Sequence, residues 1–244
     1  MEAWGITNTG RVRSTNQDSF YLNITHSDDQ LYCAICDGMG GANAGNVASE
    51  IAVETFSKAM NQRVRSDMSR AYIRRTIREI VSGANKKIYD SAMENEHYSG
   101  MGTTFVGLII SGGYAVCANV GDSRAYMIDD GGILRITRDH SVIAEMLERG
   151  ELTPEQAKDY PAKNLITRAL GTEPSVLCDL FNINLRKGSY ILLCSDGLTN
   201  MLDEQEILYE VLHGGDVATC CGRLVEMANH RGGLDNVTVV LVKI

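Results

Sequence analysis

Proline is scarce in this 244-residue sequence, and the three present, Pro154, Pro161 and Pro174, fall in one short region. Because no proline- or serine-rich linker divides the chain, we expect one domain over residues 1–244. No apolar run approaches the roughly 18 residues of a transmembrane helix. The first five residues also lack the charged and apolar regions of a signal peptide. These absences predict a cytoplasmic protein that does not associate with membranes.

The sequence also lacks an excess of positive charge. Its 23 lysines and arginines stand against 31 aspartates and glutamates, for a formal net charge of −8. A nucleic-acid-binding protein usually has a basic excess or stripe, so nucleic acid is not an expected partner. Residues 63–87 are a local exception, with basic residues in excess over Asp67 and Glu79. A docking surface for an acidic partner is one interpretation of this segment, and a solvated helix face is the favoured one.

The seven cysteines do not form a pattern typical of zinc or redox sites. Cys33 and Cys36 are spaced as C-x-x-C, but they lie in the strand-like run 31–36, and no second pair follows. Residues three apart on a strand point to opposite faces, which is poor geometry for a shared metal or a disulfide. Cys220 and Cys221 lie in a helical pattern. We therefore expect reduced and mostly buried thiols.

Eight short segments have the apolar or alternating composition of strands. They are residues 19–24, 31–36, 104–110, 115–120, 123–128, 177–185, 190–194 and 237–242. Turn sequences at 111–113, 129–132 and 187–188 separate several of them. Connections this short favour hairpins and therefore antiparallel pairing.

Helical periodicity occurs in four segments. They are residues 47–59, 73–88, 141–150 and 217–228. Strands and helices come in groups, which favours the α+β class over a doubly wound sheet. Eight strands are many for one open sheet. Two packed antiparallel sheets flanked by helices would bury both the strands and the apolar helix faces.

Five aspartates lie at the ends of the predicted strands: Asp18, Asp37, Asp122, Asp196 and Asp235. Any one of them could be an ordinary turn residue, because aspartate hydrogen-bonds nearby backbone. Two of them form Asp-Gly pairs directly after long apolar runs, where burial of an unpaired carboxylate would be very costly. A hard divalent cation such as Mg²⁺ or Mn²⁺ would remove that cost, whereas the sequence has no His/Cys cluster for zinc.

Two further features could bind an anion. A glycine-rich stretch at 37–45 leads into a predicted helix, as nucleotide-binding loops do, but it lacks the Gly-Lys-Ser/Thr ending of a P-loop. Its glycines are better explained by close approach of the chain to metal ions. Arg13, five residues before Asp18, is a candidate phosphate clamp, because guanidinium binds phosphate oxygens bidentately.

Taken together, these segments resemble the metal-dependent PPM (type 2C) protein serine/threonine phosphatases, and the resemblance extends from Trp4 to Leu241. Eight ordered segments carry it: G-R-V-R-S-T-N-Q-D at 10–18, D-G-M-G-G at 37–41, G-T-T at 102–104, N-V-G-D-S-R at 119–124, T-R-D-H-S at 137–141, I-T-R-A-L-G at 166–171, C-S-D-G-L at 194–198 and D-N-V-T at 235–238. The lack of extensions is similar to the bacterial, single-domain members. The resemblance implies a four-layer α-β-β-α sandwich.

The resemblance also implies a two-metal centre holding Mn²⁺ or Mg²⁺. Asp37 would bridge the two ions, and the Gly38 carbonyl, Asp196 and Asp235 would complete their coordination. Asp18 would be an outer carboxylate that hydrogen-bonds to metal-bound water.

Three more features follow from the same resemblance. Asp122 would hold a weaker third ion together with Asp196. Arg13 would grip the substrate phosphate. Residues 141–165 would form a mobile flap beside the site.

The activity implied is hydrolysis of phosphoserine and phosphothreonine in proteins. A metal-bridging water would attack phosphorus in line, with no covalent phosphoenzyme. The expected partners are phosphorylated proteins and a cognate serine/threonine kinase, and the expected state is a monomer. Two alternatives stay open: a catalytically weak regulator that binds phosphoproteins, and a hydrolase of small phosphate esters.

One departure from the family pattern concerns the proton donor. Relatives often carry a histidine in or just after the Asp-Gly loop, where this sequence has Met39 and Ala42, and Tyr160 replaces a flap histidine. His140 matches a family position, and we interpret it as structural. Our hypothesis is that a water held near Asp122 protonates the leaving group.

Overall fold

Apolar strands and amphipathic helices come in groups along the computed structural model, which describes residues 1–25, 30–40, 44–65, 68–158, 160 and 165–244. The strands in these residues are β1 Glu2–Asn8, β2 Asp18–Ile24, β3 Gln30–Met39, β4 Gly102–Thr103, β5 Phe105–Ser111, β6 Tyr114–Val120, β7 Arg124–Asp129, β8 Gly132–Arg135, β9 Asp179–Asn184, β10 Tyr190–Cys194 and β11 Val237–Lys243. The helices are α1 Gly45–Arg63, α2 Arg70–Glu94, α3 Val142–Glu148, α4 Pro154–Lys158, α5 Asp196–Thr199, α6 Glu204–His213 and α7 Val217–His230.

The strands form two antiparallel sheets. One has the order β1-β11-β10-β7-β8, and the other has the order β2-β3-β5-β6-β9, with the short β4 paired to β3. The first strand of the chain pairs only with the last one in the described residues, from Glu2 opposite Lys243 to Asn8 opposite Val237. The two ends of the chain therefore close the five-stranded sheet together.

Side chains from alternate positions divide the interior into three apolar layers. In β3, the odd-numbered residues from Leu31 to Ile35 pack between the two sheets, and the even-numbered ones from Tyr32 to Cys36 pack under α1 and α2. A third layer lies between the other sheet and helices α5 to α7. Each fully buried large side chain in these layers contributes about 1.5–3 kcal/mol. This arrangement confirms the predicted four-layer α-β-β-α sandwich.

The cysteine interpretation is confirmed as well. Cys33 faces the layer between the sheets, whereas Cys36 faces the helices. All seven cysteines of the chain are free thiols.

The eight predicted strands and the four predicted helical segments are present, with ends shifted by a few residues. Six elements were not predicted: the strands β1, β4 and β8 and the helices α4, α5 and α6. Strand β1 is partly exposed and contains Gly5, which faces Phe20 so closely that a Cβ atom would lie 2.5 Å from its ring. Helix α6 had a usable sequence signal, the capping box of Asp203 and Glu206.

The prediction of a hairpin at 187–188 is wrong. Strand β9 pairs with β6 in one sheet, whereas β10 pairs with β7 and β11 in the other. The connection at 187–188 therefore crosses between the two sheets. The short length of a connection does not by itself distinguish such a crossing from a hairpin. The turn that contains Asp122 crosses in the same way, from β6 to β7.

The basic segment 63–87 forms the end of α1 and most of α2, and Asp67 lies outside the described residues. Arg63 pairs with Glu79 at 2.6 Å, and Lys86 pairs with Asp90 at 2.7 Å. These exposed pairs support the solvated helix face. No helix in the described ranges has the length and apolarity needed to cross a bilayer.

Candidate metal centre

The predicted aspartates meet because neighbouring antiparallel strands start and end at the same edge. Asp18 opens β2 directly opposite Asp37, which lies near the end of β3. Asp196 follows β10, and Asp235 precedes β11, the antiparallel neighbour of β10. Asp122 lies in the crossing between the sheets. Residues separated by more than two hundred positions thus meet at one edge of the sandwich.

A cleft of about 240 Å³ opens at this edge. Its lining contains six of the seven predicted site residues: Arg13, Asp37, Gly38, Asp122, Asp196 and Asp235. The seventh, Asp18, is buried and does not line the cleft. The arrangement is an acidic floor with one guanidinium at its side.

Two glycines allow the backbone to close around the cleft. A Cβ atom on Gly38 would lie 2.0 Å from the carbonyl oxygen of Gly45, and one on Gly197 would lie 1.9 Å from that of Asn236. Both distances are far inside van der Waals contact, so any side chain would push the segments apart. The glycines after Asp37 and Asp196 are therefore required by packing between backbone segments. The expected close approach of the glycine-rich stretch to metal ions stays a prediction.

Asp18 supports the cleft from behind. Its Oδ2 atom accepts hydrogen bonds from Ser195 Oγ at 2.8 Å and from Thr238 Oγ1 at 2.6 Å. Its Oδ1 atom is buried without a protein partner. Burial raises the pKa of Asp18 to about 7. An orphaned oxygen on a buried carboxylate fits a site completed by water and a cation.

The other carboxylates of the cleft also have raised pKa values. Burial, followed by repulsion from Asp18 and Asp196, raises the pKa of Asp37 well above its usual range. Burial and the charge of Asp235 raise the pKa of Asp196, and burial raises that of Asp122 to about 7. So many carboxylates in one cleft repel each other, and a divalent cation would offset that repulsion.

The ligand atoms available in the cleft determine which cation could bind there. No group of three His, Cys, Asp or Glu side chains in the described residues is arranged to hold an ion by itself. The lining of the cleft offers the carboxylate oxygens of four aspartates and the backbone of Gly38. Mg²⁺ and Mn²⁺ accept such oxygen ligands and usually retain water, so the residues fit these cations.

Arg13 lies at the side of the cleft. Its Nη2 atom donates to Asp235 Oδ2 at 2.8 Å, and this contact raises the pKa of the guanidinium. The other Asp235 oxygen accepts from the Asn236 amide at 2.9 Å. Arg13 is therefore held by a cleft carboxylate and stays charged, as a phosphate clamp requires.

Two supporting residues were not singled out from the sequence. Asn236 donates from Nδ2 to the carbonyls of Thr9 and Thr15, and its Oδ1 accepts from the Gln17 amide, so it ties the Arg13 loop to β11. Thr104 Oγ1 accepts from the Asp37 amide at 2.9 Å. Both residues lie in segments that resemble the phosphatase family. Their supporting roles depend on tertiary contacts, which the spacing of residues in the sequence does not reveal.

His140 is structural, as predicted. It is buried, and its Nδ1 atom accepts from the Gly121 amide at 3.0 Å, while Nε2 lies 3.2 Å from Asp179 Oδ2. Burial lowers the pKa of His140. Its role is to hold the crossing that carries Asp122.

No histidine lines the cleft in the part of the chain that the structure describes. Met39 lines it, and Tyr160 does not. Ala42 and residues 159 and 161–164 of the predicted flap lie outside the described residues.

Known proteins with the same motifs share this architecture. The family model described as Protein phosphatase 2C matches residues 9–231. The serine/threonine phosphatase stp of Listeria monocytogenes is 38% identical over 246 residues, which cover 100% of this chain and 96% of that protein. The crystal structure of Staphylococcus aureus serine/threonine phosphatase Stp1 superposes with a TM-score of 0.92 at 35% identity, over 100% of this chain and 94% of that one.

A second similar structure bears on the metal. The catalytic domain of the phosphatase PstP, solved in complex with two manganese ions, has a TM-score of 0.85 at 32% identity and covers 98% of this chain and 96% of that one. The family match, the full-length identity and the shared fold lead to one conclusion: the chain belongs to the protein phosphatase 2C family.

Proposed function

We propose that the protein is a metal-dependent protein phosphatase that hydrolyses phosphoserine and phosphothreonine. Its relatives are named serine/threonine phosphatases and match it over nearly their whole length. The observation that carries the proposal is the cleft itself, in which four aspartates face Arg13. A catalytically weak regulator would be expected to have lost one of these groups.

The proposed cofactors are two divalent cations, Mn²⁺ or Mg²⁺, held by Asp37, the Gly38 carbonyl, Asp196 and Asp235. The manganese in PstP supports this choice. A weaker third ion is proposed at Asp122 with Asp196. When bound, such cations activate water and offset charge on the phosphoryl group.

The protein's own groups bind and orient the substrate. Arg13 is proposed to bind phosphate oxygens and fix their direction. Asp18, through Ser195 and Thr238, holds the strand ends that carry the ligands in register. Positioning of this kind supplies much of the rate enhancement in phosphoryl transfer.

A covalent phosphocysteine route does not fit. Cys36 and Cys194 lie on strands that lead to the cleft, but both are fully buried. Burial raises the pKa of Cys194 to about 12 and that of Cys36 well above its usual range. Neither thiol would supply a thiolate nucleophile near neutral pH. Direct hydrolysis is the better mechanism.

Residues 1–244 are proposed to form one catalytic domain, with a flap at about 141–165 beside the site. The proposed partners are phosphorylated proteins and a cognate serine/threonine kinase, without nucleic acid or membrane, and the proposed state is a monomer. Seven free thiols support a reducing, cytoplasmic location.

The test is phosphate release from a phosphothreonine peptide in EDTA, Mg²⁺ and Mn²⁺. Wild type should be active only with a divalent cation. Asp196→Ala should lose at least about 10²–10³-fold, because it removes a charged group that holds the reacting centre. Asp90→Ala, on the exposed face of α2, is the matched control and should keep wild-type activity. Metal-independent release, or full activity in Asp196→Ala, would contradict the proposal.

A further inference from the structure

Three exposed aliphatic side chains belong to residues that directly precede residues lining the acidic cleft. Large hydrophobic side chains are strongly exposed at eight of the described positions. Three of these adjoin cleft-lining residues in the chain: Val12 at 63%, Leu165 at 57% and Leu234 at 57% exposure. They precede Arg13, Ile166 and Asp235. Single exposed aliphatic residues are common on protein surfaces, but three of them next to the lining residues of one polar cleft are a different pattern.

The backbone holds these three residues in defined places. The amides of Arg11 and Val12 both donate to the Gly233 carbonyl, at 2.8 and 3.3 Å, so the Val12 and Leu234 segments are joined beside the Arg13–Asp235 pair. On the flap side, the Leu165 carbonyl accepts from the Val142 amide at 2.9 Å. The next residue, Ile166, pairs with Ser141 as an isolated β-bridge.

The rim and the floor of the cleft differ in chemistry. The carboxylates and the guanidinium of the floor can bind a phosphate and its cations. They do not bind apolar side chains favourably. Aliphatic groups at the rim gain free energy only when another apolar surface covers them. A phosphorylated side chain that reaches Arg13 brings its own polypeptide across this rim, so the substrate itself is the surface in position to cover it.

We propose that Val12, Leu165 and Leu234 form an aliphatic rim that binds apolar side chains flanking the phosphorylated residue of a protein substrate. This inference rests on the proposed phosphatase function and adds a sequence preference to it. The occupant is an extended phosphopeptide with leucine-like neighbours, because such neighbours bury the rim while the phosphate lies in the continuous cleft. Small phosphate esters lack these neighbours and would leave the rim exposed.

The test compares three substrates with Mn²⁺ present: a phosphothreonine peptide with leucines on both sides, the same peptide with serines there, and an aryl phosphate. Wild type should have a kcat/KM about tenfold higher for the leucine peptide, mostly through a lower KM. A Val12→Ser/Leu165→Ser/Leu234→Ser variant should lose that preference. Its aryl phosphate rate should change less than about twofold, because this substrate has no flanking residues to bury. Leu134→Ser, on β8 and equally exposed, should behave as wild type.

The outcomes separate the two proposals. If wild type has the same kcat/KM for both peptides, the rim proposal is overturned, whereas the proposal of metal-dependent hydrolysis is unaffected. A variant that loses the same factor on all three substrates would also overturn it, since the rim would then act on the fold or the metal site. Absence of metal-dependent hydrolysis of every substrate would overturn the phosphatase proposal and the rim with it.

Discussion

At the scale of single residues, the cleft carries several charged groups, and its described lining contains no histidine that could donate a proton. Met39 occupies the loop where relatives often have histidine, and His140 is buried in a structural role. The oxygen of a leaving seryl or threonyl group must still gain a proton. Asp122 lines the cleft at the point where the chain crosses between the two sheets. It is the residue to test for proton delivery.

We expect Asp122→Ala to slow phosphothreonine peptide hydrolysis by about 10²-fold and aryl phosphate hydrolysis by less than about tenfold, because an aryl leaving group needs little protonation. Steady-state kinetics on both substrates would measure this difference. Asp130→Ala, an exposed turn residue, is the control. Equal losses on the two substrates would assign Asp122 to metal binding alone.

At the scale of elements, two glycines have opposite structural roles. Gly38 near the end of β3 packs against the start of α1, with the Gly45 carbonyl where a Cβ would be. Gly83 lies inside α2, and a Cβ there would meet nothing within 4 Å. The first glycine is required by packing, and the second only weakens its helix.

Gly38→Ala should therefore destabilise the protein by about 3 kcal/mol or more, the upper range for overpacked sites. Gly83→Ala should stabilise it by about 0.5–1 kcal/mol, because alanine is the better helix former. Urea unfolding followed by circular dichroism would measure both. The packing argument fails if the two substitutions have effects of the same sign.

Sequence patterns predicted the buried elements well and the elements that depend on distant pairing poorly. Apolar runs such as the one ending at Cys36 predicted the central strands, because buried strands must be apolar on both faces. Strand β1 was missed because it is half-exposed and owes its existence to pairing with β11. The site aspartates were found because they end predicted strands, whereas the supporting role of Asn236 follows from hydrogen bonds between loops far apart in sequence.

At the scale of the whole molecule, the acidic site sets the pH dependence of stability. Without cations, the folded protein has Asp18 and Asp122 with pKa values of about 7, well above their ordinary value of 3.8. Between these values the folded state keeps protons that the unfolded chain releases. Stability must therefore fall as pH rises through this window, because the native state binds more protons. A bound cation opposes this loss.

In EDTA, the free energy of unfolding should be lower at about pH 8 than at about pH 5.5 by about 2–4 kcal/mol. Mn²⁺ at about one hundred times its Kd should restore about 2.7 kcal/mol per site at the higher pH. Asp18→Asn should flatten the dependence in EDTA, since it removes one of the titrating carboxyls. Urea titrations at both pH values would check this, and a pH-independent stability in EDTA would contradict it.

The pairing of the first strand with the last has a consequence for how the protein is made. Strand β1 is synthesised more than two hundred residues before its partner β11. Until β11 is available the five-stranded sheet cannot close, and Asp235 cannot join the carboxylates already translated. Sheets with such distant pairings form slowly, because closing a long loop costs conformational entropy before the strand contacts stabilise the sheet. The nascent chain therefore stays inactive until β11 has been synthesised and has paired with β1.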